Sequence, residues 1–162
     1  MAKPVSPYRS LSSEKRIALV THVIKSSPQA RELYVQRITS RPGGFRAVTL
    51  RSLSPDRLAS EVVRLNAQTS QDELDLLHLL YVELEPAVQI TFLDAAGVPH
   101  ENGQIQDGLD APFADEAAVT RAASAVRAEH NEDGERYLRT LARYSPLGWP
   151  GIDRIVAETS TT

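Results

Sequence analysis

An imidazole, a carboxylate and an amide follow one another in His100-Glu101-Asn102, within a polar segment between two predicted helices. Nearby aspartates add oxygen ligands of the kind that hard divalent cations prefer. The spacing does not match an EF-hand, and the second histidine of H-E-x-x-H is missing. Asn-Gly favours a turn, which by itself explains these residue types. We therefore predict a candidate interaction loop with no assigned metal, cofactor or catalytic residue, made of Asp94, His100, Glu101, Asn102, Asp107 and Asp110.

A second carboxylate–imidazole pair lies in the most apolar part of the chain. Asp75 and His78 are three positions apart, which places them on one face of a predicted helix. Metal sites in helical bundles use such a pair twice, together with further glutamates, and the sequence holds no second pair. A polar stripe in which His78 pairs with Asp75 is the simpler interpretation. A metal-dependent enzyme that uses this pair, or His100 with Glu101, stays open as an alternative.

Arginines dominate the basic residues, with 15 arginines against 3 lysines. Base composition of the genome explains such a bias, and so does selection for bidentate contacts to phosphates or carboxylates. Tyr34 and Phe45 are interleaved with seven of these arginines, which suits contact with nucleic acid. The candidate polyanion surface consists of Arg31, Arg37, Arg41, Arg46, Arg51, Arg57 and Arg64.

The net charge of −3 conceals a strong division along the chain. Residues 1–70 carry 12 Lys and Arg against 4 Asp and Glu, whereas residues 71–162 carry 6 against 17. The halves therefore have net charges of +8 and −11. Such a division indicates two halves that neutralise each other in the fold, a nucleic-acid surface, or a protein partner that binds one pole.

Several chemistries are excluded by residue type. The chain of 162 residues has no cysteine, so disulfides, thiol nucleophiles and thiolate zinc sites are absent. It contains no G-x-x-x-x-G-K-[ST], G-x-G-x-x-G or G-x-S-x-G. Residues 1–10 lack the apolar core of a signal peptide, and no apolar run approaches the length of a membrane span. We therefore expect a cytoplasmic protein without membrane contact.

Helical signals recur along the chain. Ser27-Pro28 and Ser54-Pro55 combine an N-cap residue with a proline at the first helical position. Ser70 and Glu73 suggest a capping box that opens an apolar helix over about 71–84. The segment 45–53 is ambiguous between helix and strand, and its helical neighbours favour a helix. The pattern predicts an all-α fold, a compact bundle of seven or eight short helices or irregular stacked helical hairpins.

The remaining segments complete this architecture. Residues 98–112 are predicted as a polar loop, followed by one helix to about Glu129 and another over about 134–144, with a cap at 131–133. We predict a flexible N-terminal arm at 1–10, one helical domain at 11–158 and a frayed tail at 159–162.

The segment Phe92-Leu-Asp-Ala-Ala-Gly-Val-Pro-His-Glu-Asn-Gly103, with Tyr137-Leu138 and Trp149-Pro150 downstream, resembles segments of uncharacterised bacterial helical proteins. The resemblance covers roughly the C-terminal half and implies no activity. Together the patterns favour a non-catalytic helical module of a bacterial cytoplasm whose partner is another protein, bound at the basic face or at the loop 94–116. Nucleic-acid binding is the first alternative, and the oligomeric state stays undetermined.

Overall fold

The structure is a computed structural model that describes residues 5–159, and it confirms the all-α prediction. Within these residues eight α-helices accompany one two-stranded hairpin. Two short 3-10 turns, at Tyr8–Ser10 and Pro146–Gly148, and a π-helix at Leu79–Leu84 complete the regular structure of these residues. The elements in chain order are α1 (Ser13–Ser26), α2 (Pro28–Thr39), α3 (Ala47–Arg51), α4 (Pro55–Arg64), α5 (Ser70–His78), α6 (Ala87–Ala96), β1 (His100–Glu101), β2 (Gln104–Ile105), α7 (Glu116–Tyr144) and α8 (Ile152–Thr159).

Contacts divide the chain into two compact units, Met1–Leu76 and Leu77–Thr162. The first unit carries twelve basic and seven acidic residues, and the second carries six and fourteen. We call them the basic unit and the acidic unit. The single domain predicted for 11–158 stays a prediction.

Local signals position the first helices as the sequence predicts. The Ser12 hydroxyl accepts the amide of Lys15 at 3.2 Å, and the Ser27 hydroxyl accepts the amide of Ala30 at 3.1 Å, so both serines satisfy amides that the helix leaves free. The ambiguous segment forms the short helix α3 rather than a strand. In this unit α1 packs against both α2 and α4, and α2 packs against α3.

The capping box before α5 lies one residue earlier than the sequence indicates. The Thr69 hydroxyl accepts the Asp72 amide at 3.2 Å, and the Asp72 carboxylate accepts the Thr69 amide at 2.7 Å. Because Thr69 and Asp72 form the capping box, Glu73 does not cap the helix. Glu73 is only 5 % exposed, and it binds the N-terminal segment instead of a helix end.

Residues 5–10 of the predicted flexible arm make defined contacts within the basic unit, while residues 1–4 lie outside the described part of the chain. The Ser6 hydroxyl donates to Glu73 at 2.6 Å, and Arg9 Nε donates to the same carboxylate at 2.9 Å. Tyr8 is buried, and its hydroxyl accepts a hydrogen bond from Gln68. Burial raises the pKa of Tyr8 to about 12. The Glu73 carboxylate and the buried Tyr8 ring therefore attach this segment to the basic unit, although its composition suggested a flexible segment.

In the acidic unit, α6 packs along α7, and α8 packs on α7. The helical turn after α5 widens into a π-helix at Leu79–Leu84, with the Glu85 amide donating to the Leu80 carbonyl at 2.7 Å. Tyr137 contacts both Tyr81 and Phe92 edge to face, and Phe92 contacts Trp149 in the same way. Edge-to-face packing suits the quadrupole of aromatic rings, so these rings form the core of this unit.

The helix α7 breaks at Asn131, where φ is 49° and ψ is −120°. This confirms the sequence prediction of two helical segments separated at 131–133. After the break the chain turns back on itself, so that Gly134 meets the Val126 carbonyl eight residues earlier. Thr159, the first residue of the predicted frayed tail, ends α8 and accepts a hydrogen bond from Arg127, while residues 160–162 are not described.

Candidate interaction site

The predicted loop 98–112 contains a β-hairpin, which corrects the sequence interpretation. His100 pairs with Ile105 and Glu101 with Gln104 in antiparallel register. Asn102 and Gly103 form the two-residue turn with φ of 50° and 87°. Two positive φ values in a two-residue loop are the requirement that Asn-Gly meets best. The hairpin is held because Gln89 of α6 donates to the Gly103 carbonyl.

Both ring nitrogens of His100 are used inside this hairpin. Nδ1 accepts the Gly103 amide at 3.0 Å, so this nitrogen carries no proton. Nε2 lies 2.7 Å from Asp94 Oδ1 and therefore donates to that carboxylate. The imidazole can bind a metal or accept a substrate proton only if the turn loses its hydrogen bond. His100 and Asp94 thus come together as a structural pair.

The other candidate residues of the loop lie on the surface. Glu101, Asn102, Asp107 and Asp110 are all exposed. The loop is fastened again at Phe113, whose amide donates to the Gly148 carbonyl at 3.0 Å. These acidic side chains therefore form an exposed stretch on a backbone tied at two points.

Asp75 and His78 are not joined by further metal-binding side chains within residues 5–159. Asp75 accepts a hydrogen bond from Gln71 Nε2 at 2.9 Å, and His78 is exposed. In residues 5–159 no group of three or more His, Asp or Glu side chains is placed to hold a metal ion. The metal-enzyme alternative therefore lacks an assembled set of ligands in this part of the chain.

A hydroxyl–imidazole contact that the sequence did not indicate joins α6 to α7. Thr91 Oγ1 donates to Glu129 Oε2 at 3.1 Å and lies 2.9 Å from His130 Nε2. Because the hydroxyl proton goes to Glu129, the imidazole must donate to Thr91. It cannot act as the base that would activate this hydroxyl for nucleophilic attack. The cluster fastens two helices beside the break at Asn131.

Three of the seven candidate arginines bind backbone carbonyls near the ends of helices. Arg31 donates to the carbonyls of Arg51 and Leu53 at 3.2 and 2.7 Å, after α3. Arg41 donates to the carbonyls of Leu65 and Asn66, after α4. Helix C-termini carry unsatisfied carbonyls and partial negative charge, which a guanidinium neutralises.

Arg37 completes this trio through Ala67 and a carboxylate. Its Nη1 donates to the Ala67 carbonyl at 3.4 Å and to Asp72, while its guanidinium lies 5.6 Å from the centre of the Tyr34 ring.

Arg51 makes a two-point contact with Glu32, at 2.5 and 3.1 Å. The guanidinium holds the pKa of Glu32 below its ordinary value.

Arg64 also has a partner within the basic unit, because it pairs with Glu61 one turn earlier at 2.5 Å. The other two members of the candidate polyanion surface are Arg46 and Arg57. Among the described residues, no side-chain hydrogen bond or ion pair joins Arg46 or Arg57 to another group. The pKa of Asp56 lies below its ordinary value chiefly because of its hydrogen bond with Ser54, and the neighbouring Arg57 lowers it further. The polyanion surface stays a prediction that depends chiefly on Arg46 and Arg57.

A cleft of about 130 Å³ opens between α1, α2 and α5 of the basic unit. Its walls are mainly apolar, and Leu33 at its edge is 49 % exposed. The lining consists of Val23, Ala30, Leu33, Tyr34, Arg37, Asp72, Asp75 and Leu76. An apolar cavity of roughly 150 Å³ accepts a benzene-sized group, so this cleft has room for one bulky side chain.

Leu33 also belongs to a second, shallower surface along α2, formed with Pro28, Gln29, Glu32 and Gln36. The spacing of residues in the sequence did not indicate the cleft. The position of Leu33 in α2 is compatible with either burial or exposure. The placement of α1 and α5 leaves the residue about half exposed.

Comparison of the chain with protein-family models, curated proteins and solved structures gives no match. Within the described residues no single helix has the length and apolar character to cross a membrane, although the helical segments Ser70–Leu84 and Ala87–Ala96 meet these criteria together as a bent pair.

Proposed function

We propose that the protein is a non-catalytic helical interaction module that binds another protein through the cleft between α1, α2 and α5. The observation that carries this proposal is an apolar cleft with a half-exposed leucine at its edge. An apolar cleft with a half-exposed leucine at its edge offers a pocket that a side chain of a partner can fill and cover.

The arrangement of charge supports a protein partner over a nucleic acid. Five of the seven candidate arginines bind carbonyls or carboxylates of the basic unit, with Arg31, Arg41 and Arg51 as clear examples. A phosphate backbone would have to compete with these bonds. In the hairpin, Nδ1 of His100 accepts the turn amide of Gly103 and Nε2 contacts Asp94 of α6, so both ring nitrogens have structural partners.

The proposal is tested by site-specific photocrosslinking in the cells that produce the protein. A photoreactive phenylalanine replaces Leu33 in one variant and Leu147, which is 87 % exposed in the acidic unit, in the control. We expect discrete protein adducts from position 33 and none of the same mass from position 147. The adduct partner, once purified, should bind the Leu33→Asp variant at least about ten times more weakly than the wild type. Equal adducts from both positions would refute the proposed function.

A further inference from the structure

The chemistry of the partner can be inferred from the polar groups around the cleft, on the basis of the proposed function. We propose that the cleft binds an amphipathic helix of another protein, which inserts one bulky apolar side chain beside Leu33 and places a lysine or arginine against Asp75.

The apolar anchor follows from the lining. Val23, Ala30, Leu33 and Leu76 present hydrocarbon to the cleft, and Tyr34 closes one side with a ring that is almost entirely buried. A volume of about 130 Å³ holds one leucine, methionine or phenylalanine side chain rather than an extended ligand. In protein interfaces a few side chains that fill such pockets contribute much of the binding energy.

The helical form of the partner follows from the shape of the surface beside the cleft. Gln29, Glu32, Leu33 and Gln36 occupy positions i, i+3, i+4 and i+7 of α2, and together they line the shallower surface that Leu33 shares. This spacing is one solvent-facing side of α2 over two turns, which is long enough for a second helix to lie along it. An extended strand would find no free sheet edge here, because α1, α2 and α5 surround the cleft.

We infer a positively charged side chain on the partner from the charged residues at the rim of the cleft, of which Arg37 has an ionic partner among the described residues and Asp75 does not. The guanidinium of Arg37 is occupied by Asp72 and the Ala67 carbonyl, so it does not attract an anion. Asp75 is exposed, and its described hydrogen bond comes from the uncharged amide of Gln71. In residues 5–159 no lysine or arginine forms an ion pair with Asp75. The rim therefore carries one unneutralised negative charge beside an apolar opening.

The pKa of Tyr34 is also affected by the carboxylates beside the cleft. Burial raises the pKa of Tyr34 above its ordinary value, and the carboxylates of Asp72 and Asp75 raise it further. A cationic side chain that approaches Asp75 would meet an exposed carboxylate at the rim, where an ion pair contributes up to about 1 kcal/mol.

The test is a selection from a phage library of helical peptides of random sequence against the immobilised full chain, with removal of peptides that bind the Leu33→Asp variant. We expect the recovered peptides to share a bulky apolar residue with a lysine or arginine three or four positions away. Their affinity, measured by fluorescence anisotropy, should fall at least about ten-fold for Leu33→Asp. It should fall by up to about five-fold for Asp75→Asn. Leu147→Asp is the matched control and should change nothing, and circular dichroism checks that each variant is folded.

The outcomes separate this inference from the proposed function. Peptides that depend on Leu33 but lack the basic residue, or bind Asp75→Asn unchanged, refute the charge chemistry and leave the docking site standing. Failure to recover any peptide that depends on Leu33 refutes both the partner helix and the site. Concentration-dependent self-association that Leu33→Asp abolishes, measured by sedimentation, would show that the occupant is a second copy of the chain. In the variant Asp75→Lys, a recovered peptide with glutamate in place of its basic residue should regain affinity.

Discussion

Replacement of Gly134 by alanine should destabilise the protein, although the same change in most helices stabilises it. In an unobstructed helix interior alanine is favoured over glycine by about 0.5–1 kcal/mol. At Gly134 the added Cβ would overlap the Val126 carbonyl oxygen and lie 2.8 Å from Val126 Cγ1 and 2.9 Å from its carbonyl carbon. Two of these three atoms belong to the backbone, and Val126 is fully buried. The atoms of Val126 therefore cannot move easily to make room for the added Cβ.

Overpacking of this kind costs typically about 1–3 kcal/mol, and a clash with backbone belongs near the upper limit. After subtraction of the gain in helix propensity, we expect the free energy of unfolding to fall by about 2 kcal/mol. Urea unfolding followed by circular dichroism measures this change. Ser124→Ala, at an exposed position of the same helix, is the control and should stay within about 0.5 kcal/mol of the wild type. A Gly134→Ala protein as stable as the wild type would contradict the close return of the chain at Asn131.

Three further changes test other parts of the structure. Glu73→Ala should lower the free energy of unfolding by about 2 kcal/mol, because a buried hydroxyl loses a charged acceptor, and it should expose the N-terminal segment to limited proteolysis; unchanged cleavage would argue against that attachment. If the polyanion surface exists, the double variant Arg46→Ala, Arg57→Ala should weaken nucleic-acid binding and reduce the slope of log affinity against log salt by about two, as measured by fluorescence anisotropy. Wild-type protein that binds no nucleic acid at low salt would remove that alternative. The double variant Asp107→Asn, Asp110→Asn should leave both melting and the photocrosslink at the cleft unchanged, and loss of the crosslink would transfer the docking site to the exposed loop.

Features that depend on a few neighbouring residues were predictable from the sequence. The caps at Ser12 and Ser27 work within three residues, and the break at Asn131 shows itself as a run of capping residues inside a helical pattern. The same locality explains why the capping box before α5 was placed one residue late. Thr69 and Ser70 are equally good caps by type, and only the inward turn of Glu73 towards Ser6 decides between them.

Features that depend on distant packing were not predictable. Asn102-Gly103 was read as a turn, but the flanking residues do not alternate in polarity, so nothing local indicated paired strands. The hairpin forms because Gln89 and Ile90 of α6 lie beneath its turn. In the same way, the cleft needs residues from three helices, and the sequence specifies each helix without their relative placement.

The arginine bias has a structural explanation that also bears on function. Arg31 and Arg41 each bridge two backbone carbonyls beyond a helix end, and Arg121 in the acidic unit donates to the Ala95 carbonyl at the end of α6. One planar guanidinium can satisfy two separated acceptors with fixed geometry, whereas a lysine ammonium is a flexible point charge. These partners lie 20 to 26 residues away in sequence, so a row of arginines that resembles a binding surface is largely a set of bonds between helices. Because their charge is directed into the fold, the positive net charge of the basic unit overstates its attraction for polyanions. Asp75 has no lysine or arginine partner within residues 5–159, and its carboxylate is therefore the more informative charge for identifying a partner.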